Sequence, residues 1–298
     1  MILLMGGRGE PMLAHVEEAL AAARQEYLWI DTALMPGHWR LDLRPGRVLI
    51  RHQDGRTVDL QSVRSIYHRL GFSAFEHAPD YEPADIQHVD NACMAALSPV
   101  LDRLPGRVVN RPRAAASNAS KPLQAMLLAE AGFGVPETIV TNVPDQVVAF
   151  YQRHGGNLIY KSISHLRSIV QRMNDDDLGR LDTLQACPAQ FQERVEGVDV
   201  RVHVVDEQVF ASQIQTEKAD YRYDKQVDIR AVDLEPWLAA ACVGLAQKLG
   251  LVLAGIDLRI TPDGRPYCFE ANPSPVFSWY EDRTGQPIAA ALAGLLAR

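Results

Sequence analysis

Residues 254–272 read Ala-Gly-Ile-Asp-Leu-Arg-Ile-Thr-Pro-Asp-Gly-Arg-Pro-Tyr-Cys-Phe-Glu-Ala-Asn, and their types and spacing could do chemistry. The dipeptide Asp263-Gly264 is a two-residue hairpin signal. Centring the turn there pairs Pro262 with Arg265 and sets Asp257 directly opposite Glu270. Strand alternation then sorts the faces, with Ile256, Leu258, Ile260, Tyr267, Phe269 and Ala271 on an apolar one. Asp257, Arg259, Cys268, Glu270 and Asn272 share the other. Two facing carboxylates repel unless something neutralises them. One neutraliser is Arg259, which would make the pair a salt-bridged surface ladder; the other is a divalent cation. Two carboxylates and an amide oxygen are hard ligands that suit Mg2+ better than zinc, and Mg2+ held this way completes its shell with water and substrate phosphates. That combination points to a nucleoside triphosphate.

A second polar face adds cations. Val198, Val200, Val202 and Val204 alternate with Asp199, Arg201 and His203. Arg201 either pairs with Asp199, although same-strand i, i+2 neighbours are poorly placed for that, or neutralises charge as a phosphoryl group moves. His203 reads as a packed or surface histidine. Lys121 stands at a helix start, where amide N–H groups favour an anion, and Lys161 ends a strand. Singly each is a solvated lysine; as a pair beside a magnesium site they become phosphate ligands. Tyr67, His68 and Arg69 lie at a strand end, where open α/β sheets hold ligands. Arg69 either meets a substrate carboxylate or forms a surface salt bridge. The turn Gly6-Gly7-Arg8-Gly9 fits neither G-x-G-x-x-G nor a P-loop and reads as a plain turn.

The elements that must hold these residues are legible in the apolar periodicity. Ile2 to Met5, a helix from Pro11 to Arg24 and Tyr27 to Ile30 form a βαβ unit, which builds a parallel sheet. Strands at Arg47 to Ile50, Ser65 to His68 and Val108-Val109, with a helix from Ile86 to Leu104, complete the first third. Ser117 to Ser120 offer N-caps for a helix through Ala131 that Gly132 closes. A strand from Pro136, a helix over Pro144 to Arg153 and a strand ending at Lys161 follow. Phe191 to Val195, Val198 to Val205 and Gln208 to Gln215 are tightly linked and should pair antiparallel. A helix over Asp233 to Leu249, capped by Asp233, precedes the hairpin and a C-terminal helix.

Composition narrows the classes. A chain of 298 residues exceeds one average domain and can bury a sizeable core, and 47% hydrophobic with 22% charged residues excludes wholesale disorder. No apolar run approaches the roughly 18 residues of a membrane span, and Met1 to Gly7 lacks the basic start and long apolar run of a signal peptide. The net charge of −7 argues against a nucleic-acid partner. Cys93, Cys187, Cys242 and Cys268 are widely spaced, which argues against a zinc site or disulfide scaffold and for the cytoplasm. Oligomeric state is silent, although a homodimer is common by base rate.

Five blocks in order resemble the ATP-grasp superfamily, over roughly residues 110–298. They are Ser120-Lys121-Pro122-Leu123-Gln124, Leu158-Ile159-Tyr160-Lys161, Phe191-Gln192-Glu193-Arg194-Val195 with Asp199-Val200-Arg201, Gly255-Ile256-Asp257-Leu258-Arg259, and Phe269-Glu270-Ala271-Asn272-Pro273. The chain is most similar to the RimK-type glutamate ligases and closer still to the graspetide (microviridin-type) peptide ligases. With the latter it shares Pro136 to Pro144, Asp220-Tyr221-Arg222, Trp279 and Thr284-Gly-Gln-Pro-Ile288. The resemblance implies an α/β and α+β architecture: a βαβ pre-ATP-grasp domain (1–112), then a small lobe (113–188) and a large lobe (189–298) holding ATP between antiparallel sheets.

It further implies that Lys121 and Lys161 bind phosphates, that Gln192, Glu193 and Val195 hold adenine, and that Asp199 takes the ribose hydroxyls. Asp257, Glu270 and Asn272 would bind two Mg2+ ions, for which Mn2+ can substitute. Arg201, Arg259 and Arg222 would act on the transferred phosphate and the substrate. The implied reaction joins a carboxylate of an amino acid or peptide to an amine or hydroxyl, through an acyl phosphate with release of ADP and phosphate. Alternatives are a non-catalytic ATP-binding regulatory protein and a small-molecule kinase on the same fold. One departure is the segment Ser162 to Ser168, which contains no glycine where many relatives have a glycine-rich loop; Ser164, His165 and Arg167 have no assigned role.

Overall fold

A strand covered on both faces buries every one of its consecutive apolar side chains, and β1 (Ile2–Gly6) is such a strand. The computed structural model describes residues 1–71, 82–163, 170–215 and 227–298. After β1 come α1 (Pro11–Ala22), β2 (Tyr27–Ile30), β3 (Trp39–Arg44), β4 (Arg47–His52), β5 (Thr57–Asp59), β6 (Ser65–Arg69), α2 (Pro83–Leu101), β7 (Arg107–Val109) and α3 (Pro112–Ala115). Strands β2-β1-β6-β7 form a parallel sheet, as the βαβ pattern requires. Helix α1 starts with Pro11 in its first turn and Glu10 accepting from the Leu13 amide, and it buries Met12, Leu13, Val16 and Leu20. The expectation omitted β3 and β5, which pair with β4 in a small antiparallel sheet.

The middle of the chain comprises α4 (Lys121–Glu130), β8 (Thr138–Thr141), α5 (Pro144–Arg153), β9 (Leu158–Lys161), β10 (Gln171–Arg172), α6 (Asp175–Leu178) and β11 (Ala189–Glu193). Its antiparallel sheet has the order β10-β9-β11-β8. Here the structure corrects the sequence reading. The tight links in sequence group β11 with the strands that follow it, yet it lies between β8 and β9. Its Phe191 packs on Val147, Phe150 and Leu158, so its apolar face belongs to α5.

The last part holds β12 (Val198–Val205), β13 (Gln208–Gln215), β14 (Asp228–Val232), α7 (Pro236–Lys248), β15 (Leu253–Ile260), β16 (Pro266–Asn272), α8 (Ser278–Thr284) and α9 (Ile288–Ala297). Its five-stranded antiparallel sheet runs β14-β13-β12-β15-β16. Val200, Val202 and Val204 pack with Ile256, Leu258 and the α7 residues Leu238, Cys242 and Leu245. Helix α7 starts later than expected and is not capped by Asp233. Proline fits only the first turn of a helix, so Pro236 sets the start, and β14 occupies the chain up to Val232.

Two features weld the first sheet to the last. One apolar cluster contains Ile2, Leu4, Val16 and Leu20 from the first third together with Val205, Leu253, Phe277, Ile288, Leu292 and Leu296. At about 1.5–3 kcal/mol for each fully buried large aliphatic side chain, this shared core is a large part of what holds the units together. Asn110, buried after β7, adds polar links. Its Nδ2 donates to the carbonyls of Leu253 and Pro273 (2.6 Å each), and its Oδ1 accepts from the amides of Val252 (2.7 Å) and Leu253 (3.1 Å). No helix among the described residues is long and apolar enough to cross a membrane. All four cysteines are free thiols.

Candidate active site

The hairpin of β15 and β16 has the expected register where chemistry is expected and a different one near its turn. Gly255 pairs with Asn272, Ile256 with Ala271 and Asp257 with Glu270. Beyond a shift between Asp257 and Leu258, Leu258 pairs with Cys268, Arg259 with Tyr267 and Ile260 with Pro266. The cause is the turn. Thr261 N–H donates to the Arg265 carbonyl (3.0 Å), Gly264 N–H donates to the Thr261 carbonyl (2.8 Å), and Gly264 has φ +83°. Pro262-Asp263-Gly264 is therefore a three-residue loop with a left-handed glycine, which slips the register by one. A bulge at Phe269 restores it before Glu270. Three side chains consequently change face from the simple alternation: Cys268 is buried beside Leu258, Tyr267 lies opposite Arg259, and Phe269 turns toward Arg259, whose Cζ lies 5.4 Å from the ring centroid.

Each arginine meets the carboxylate directly opposite on the neighbouring strand. Across β12 and β15, Arg201 pairs with Asp257 and Asp199 with Arg259. Arg201 Nη1 donates to Asp257 Oδ1 at 2.6 Å. Arg259 Nε and Nη2 fork onto Asp199 at 2.7 and 2.8 Å, and its Nη1 donates to the Val195 carbonyl at 2.9 Å. Arg259 is thus engaged away from the Asp257–Glu270 pair, and the same-strand alternative of Arg201 with Asp199 gives way to cross-strand pairs. Glu270 Oε1 accepts from Asn118 Nδ2 at 3.0 Å, and Asn272 Oδ1 accepts from the Ser274 amide at 2.8 Å.

The Arg201 guanidinium lies over Gly255. A Cβ there would come within 2.2 Å of Arg201 Nη2 and 2.7 Å of the Pro275 Cβ. Tyr280 contributes a ring 5.9 Å from Arg201 Cζ, and His203 meets that ring edge-on at 4.9 Å between centroids. Burial first, then the Arg201 charge, holds His203 well below the ordinary histidine range. His203 is therefore a packed neutral histidine and not a surface one.

The lysines converge from two elements. Lys121 opens α4 behind its cap Ser120, and its Nζ donates to the carbonyl of Ser162, the residue after Lys161. Buried Gln124 ties α4 to β16 by bonding both the carbonyl (2.9 Å) and the amide (3.3 Å) of Ala271. On β11, Gln192 is buried and donates from Nε2 to Thr138 Oγ1 at 2.9 Å. Glu193 turns to α5, with Oε1 accepting from the Glu137 amide at 2.9 Å and Oε2 3.9 Å from His154 Nδ1. Arg69 pairs with Glu10 at 2.5 Å and donates to Ser274 Oγ at 2.8 Å, which anchors the loop after Asn272. Ser164, His165, Arg167, Asp220, Tyr221 and Arg222 lie outside the described residues.

Sequence reasoning missed Asn110, Asn118, Gln124 and Tyr280. Asn118 was visible as an N-cap candidate, and a polar residue on the apolar face of α4 could have singled out Gln124. Nothing local marks Asn110 or Tyr280.

Together these features define an ATP-grasp fold: two antiparallel sheets, a lysine opening α4 and another ending β9, and an acidic hairpin on the larger sheet. Residues 118–296 match the RimK-like ATP-grasp domain, and the chain belongs to that family. The fold of the whole chain is similar to that of the macrocyclase MdnC from Microcystis aeruginosa bound with precursor peptide MdnA (TM-score 0.87, 23% identity, 99% of each chain). It is also similar to the ATP-grasp ligase PsnB complexed with a phosphomimetic variant of a minimal precursor, Mg and ADP (TM-score 0.82, 28% identity, 99% of this chain and 97% of that one). Among curated proteins, a probable alpha-L-glutamate ligase 2 from Shewanella amazonensis is 25% identical over 175 residues. That stretch is 55% of this chain and 58% of the relative, less than two thirds of its length.

Proposed function

We propose that this protein is an ATP-dependent ligase that activates a carboxylate of a peptide as an acyl phosphate and passes the acyl group to an amine or hydroxyl. The observation that carries the reading is Asp257 opposite Glu270, with Arg201 and not Arg259 on Asp257. The similarity to PsnB, described with a precursor, Mg and ADP, and to a glutamate ligase supports ATP, magnesium and a peptide or amino-acid substrate. Four free cysteines are consistent with a cytoplasmic setting.

The donor set fits magnesium: two carboxylates and a carboxamide are all oxygen ligands, and the two carboxylates already face each other across the hairpin. Asp257, Glu270 and Asn272 would hold it, and when bound it supplies charge neutralisation on the nucleotide's phosphates. Lys121 and Lys161 would take the phosphates, and Asp199, oriented by Arg259, the ribose hydroxyls. Arg259 is thereby assigned to positioning Asp199 and Val195 rather than to the transferred group.

In the first step a substrate carboxylate oxygen attacks the γ-phosphorus while the bond to the β-phosphate oxygen breaks and ADP leaves. Arg201 stabilises the charge on the transferred group. In the second, an amine or hydroxyl attacks the acyl carbon, loses its proton and expels phosphate. Positioning and charge are what this chain supplies.

The test is ADP release from Mg-ATP by the purified protein, alone and with pools of amino acids and peptides, products read by mass spectrometry. Substrate-dependent ADP with loss of one water from the joined reactants, or from a single cyclised peptide, is the expected result. A product heavier by a phosphate would establish a kinase instead.

A further inference from the structure

Strand β16 ends at Asn272, paired with Gly255, and α8 starts at Ser278, so residues 273–277 run on without a strand partner. The first third of the chain grips them. Asn110 Nδ2, just after β7, donates to the Pro273 carbonyl at 2.6 Å. Arg69, the last residue of β6, donates from Nη1 to Ser274 Oγ (2.8 Å) and to the Pro275 carbonyl (3.3 Å). Met12 Sδ on α1 accepts from the Phe277 amide at 3.1 Å.

The gripped segment carries two parts of the site. The Ser274 amide donates to Asn272 Oδ1 at 2.8 Å, which fixes the carboxamide's rotation and leaves that oxygen a second lone pair. Pro275 is buried, and its Cβ lies over Gly255 together with the Arg201 guanidinium. Arg69 is itself held in place. Its Nε donates to Glu10 Oε1 at 2.5 Å, and Glu10 Oε2 accepts from the Leu13 amide as the N-cap of α1. With side chains only 16% and 23% exposed, the Arg69–Glu10 pair is weakly screened and keeps one geometry. A guanidinium committed to Glu10 on one side and to the loop on the other orients its neighbours; a substrate carboxylate would have to displace one of them.

We propose that Arg69, oriented by Glu10, is a positioning residue for the metal centre: it holds the Ser274-Pro275 segment that fixes Asn272 Oδ1 as a ligand, and so the first third of the chain sets the affinity for Mg2+. The proposal rests on the magnesium reading above and goes beyond it in Arg69, which acts on Asn272 through Ser274. Partners that orient a metal ligand are worth about 10–100-fold in metal affinity, and Arg69 stands one residue further out, which puts its share near the lower figure. Asn110 and the shared apolar cluster still join the first sheet to the last when Arg69 is removed, so the loss is local.

The experiment is calorimetric binding of ADP to the full chain, once with saturating Mg2+ and once with EDTA. The ratio of the two affinities reports the metal and needs no turnover. The wild type should bind ADP about tenfold or more tightly with Mg2+. Arg69→Met should erase up to about tenfold of that gain and leave the affinity in EDTA within about twofold. Ser274→Ala removes one exposed hydroxyl but keeps the amide on Asn272; it should lose part of the gain, and Arg69→Met should cost less in that background. Thermal melts check that each variant folds. An unchanged gain in Arg69→Met, or equal weakening with and without Mg2+, would overturn the proposal. An ADP affinity that ignores Mg2+ in the wild type, or a full gain in Asn272→Ala, would instead overturn the metal reading itself.

Discussion

Gly255→Ala should separate stability from activity. The added methyl would lie 2.2 Å from Arg201 Nη2, 2.7 Å from Arg201 Cζ and 2.7 Å from the Pro275 Cβ. The guanidinium ends a long side chain and can swing away, whereas the Pro275 ring is stiff. The stability cost therefore belongs near the low end for an overpacked site, about 1–2 kcal/mol, or a few degrees in Tm. The swing breaks the 2.6 Å bond from Arg201 to Asp257. Losing one preorganised charge-stabilising donor costs roughly 10²–10³ in kcat. ADP release and thermal melts measure the two effects. Because Gly255 is argued to act through Arg201, the substitution should cost little further activity in an Arg201→Met background. Wild-type turnover in Gly255→Ala, or full additivity with Arg201→Met, would refute the reasoning.

Glu270→Gln keeps the volume and leaves Asn118 an oxygen to donate to, so Tm should hold while ADP release is lost; turnover at the wild-type rate would remove Glu270 from the metal set. Arg259→Met strips the fork from Asp199, a pair whose side chains are about one-fifth exposed. It should cost about 1–3 kcal/mol in urea unfolding and raise the nucleotide KM, and adding Asp199→Asn should recover part of the stability. Burial holds His68 and His203 below the ordinary histidine range, with the Arg201 charge adding to the effect at His203. Below about pH 6.5 the unfolded chain then binds protons that the folded chain refuses. Stability should accordingly be full above that pH and fall as pH drops, by up to about 1.4 kcal/mol per pH unit for each histidine. Urea midpoints between pH 5 and 8 measure the slope, and His203→Asn should flatten it; an unchanged slope would count against the assignment.

The acidic hairpin was legible because its signal is local. Alternation and an Asp-Gly turn suffice to set Asp257 against Glu270, and they do face each other. The agreement survives two compensating irregularities, a three-residue loop and the bulge at Phe269, which alternation alone cannot register. That is why alternation puts Tyr267, Cys268 and Phe269 on the wrong faces. Periodicity likewise found the βαβ start and α5, because buried faces repeat at fixed intervals. It misassigned β11, whose two neighbours are set by which apolar face it shares.

By itself the sequence determined the βαβ start, the long helices, the hairpin and the lysine, arginine and carboxylate inventory, since residue type and spacing are properties of a short stretch of chain, and it left out short strands such as β3, β5 and β14. Only the tertiary structure decided how that inventory is paired. Arg201 meets Asp257 and Arg259 meets Asp199 because of the register between β12 and β15. Asn118 reaches Glu270 and Gln124 grips Ala271 because α4 packs on β16. Those contacts join segments far apart in sequence, and their partners are chosen by how whole faces pack, which no short window of residues contains.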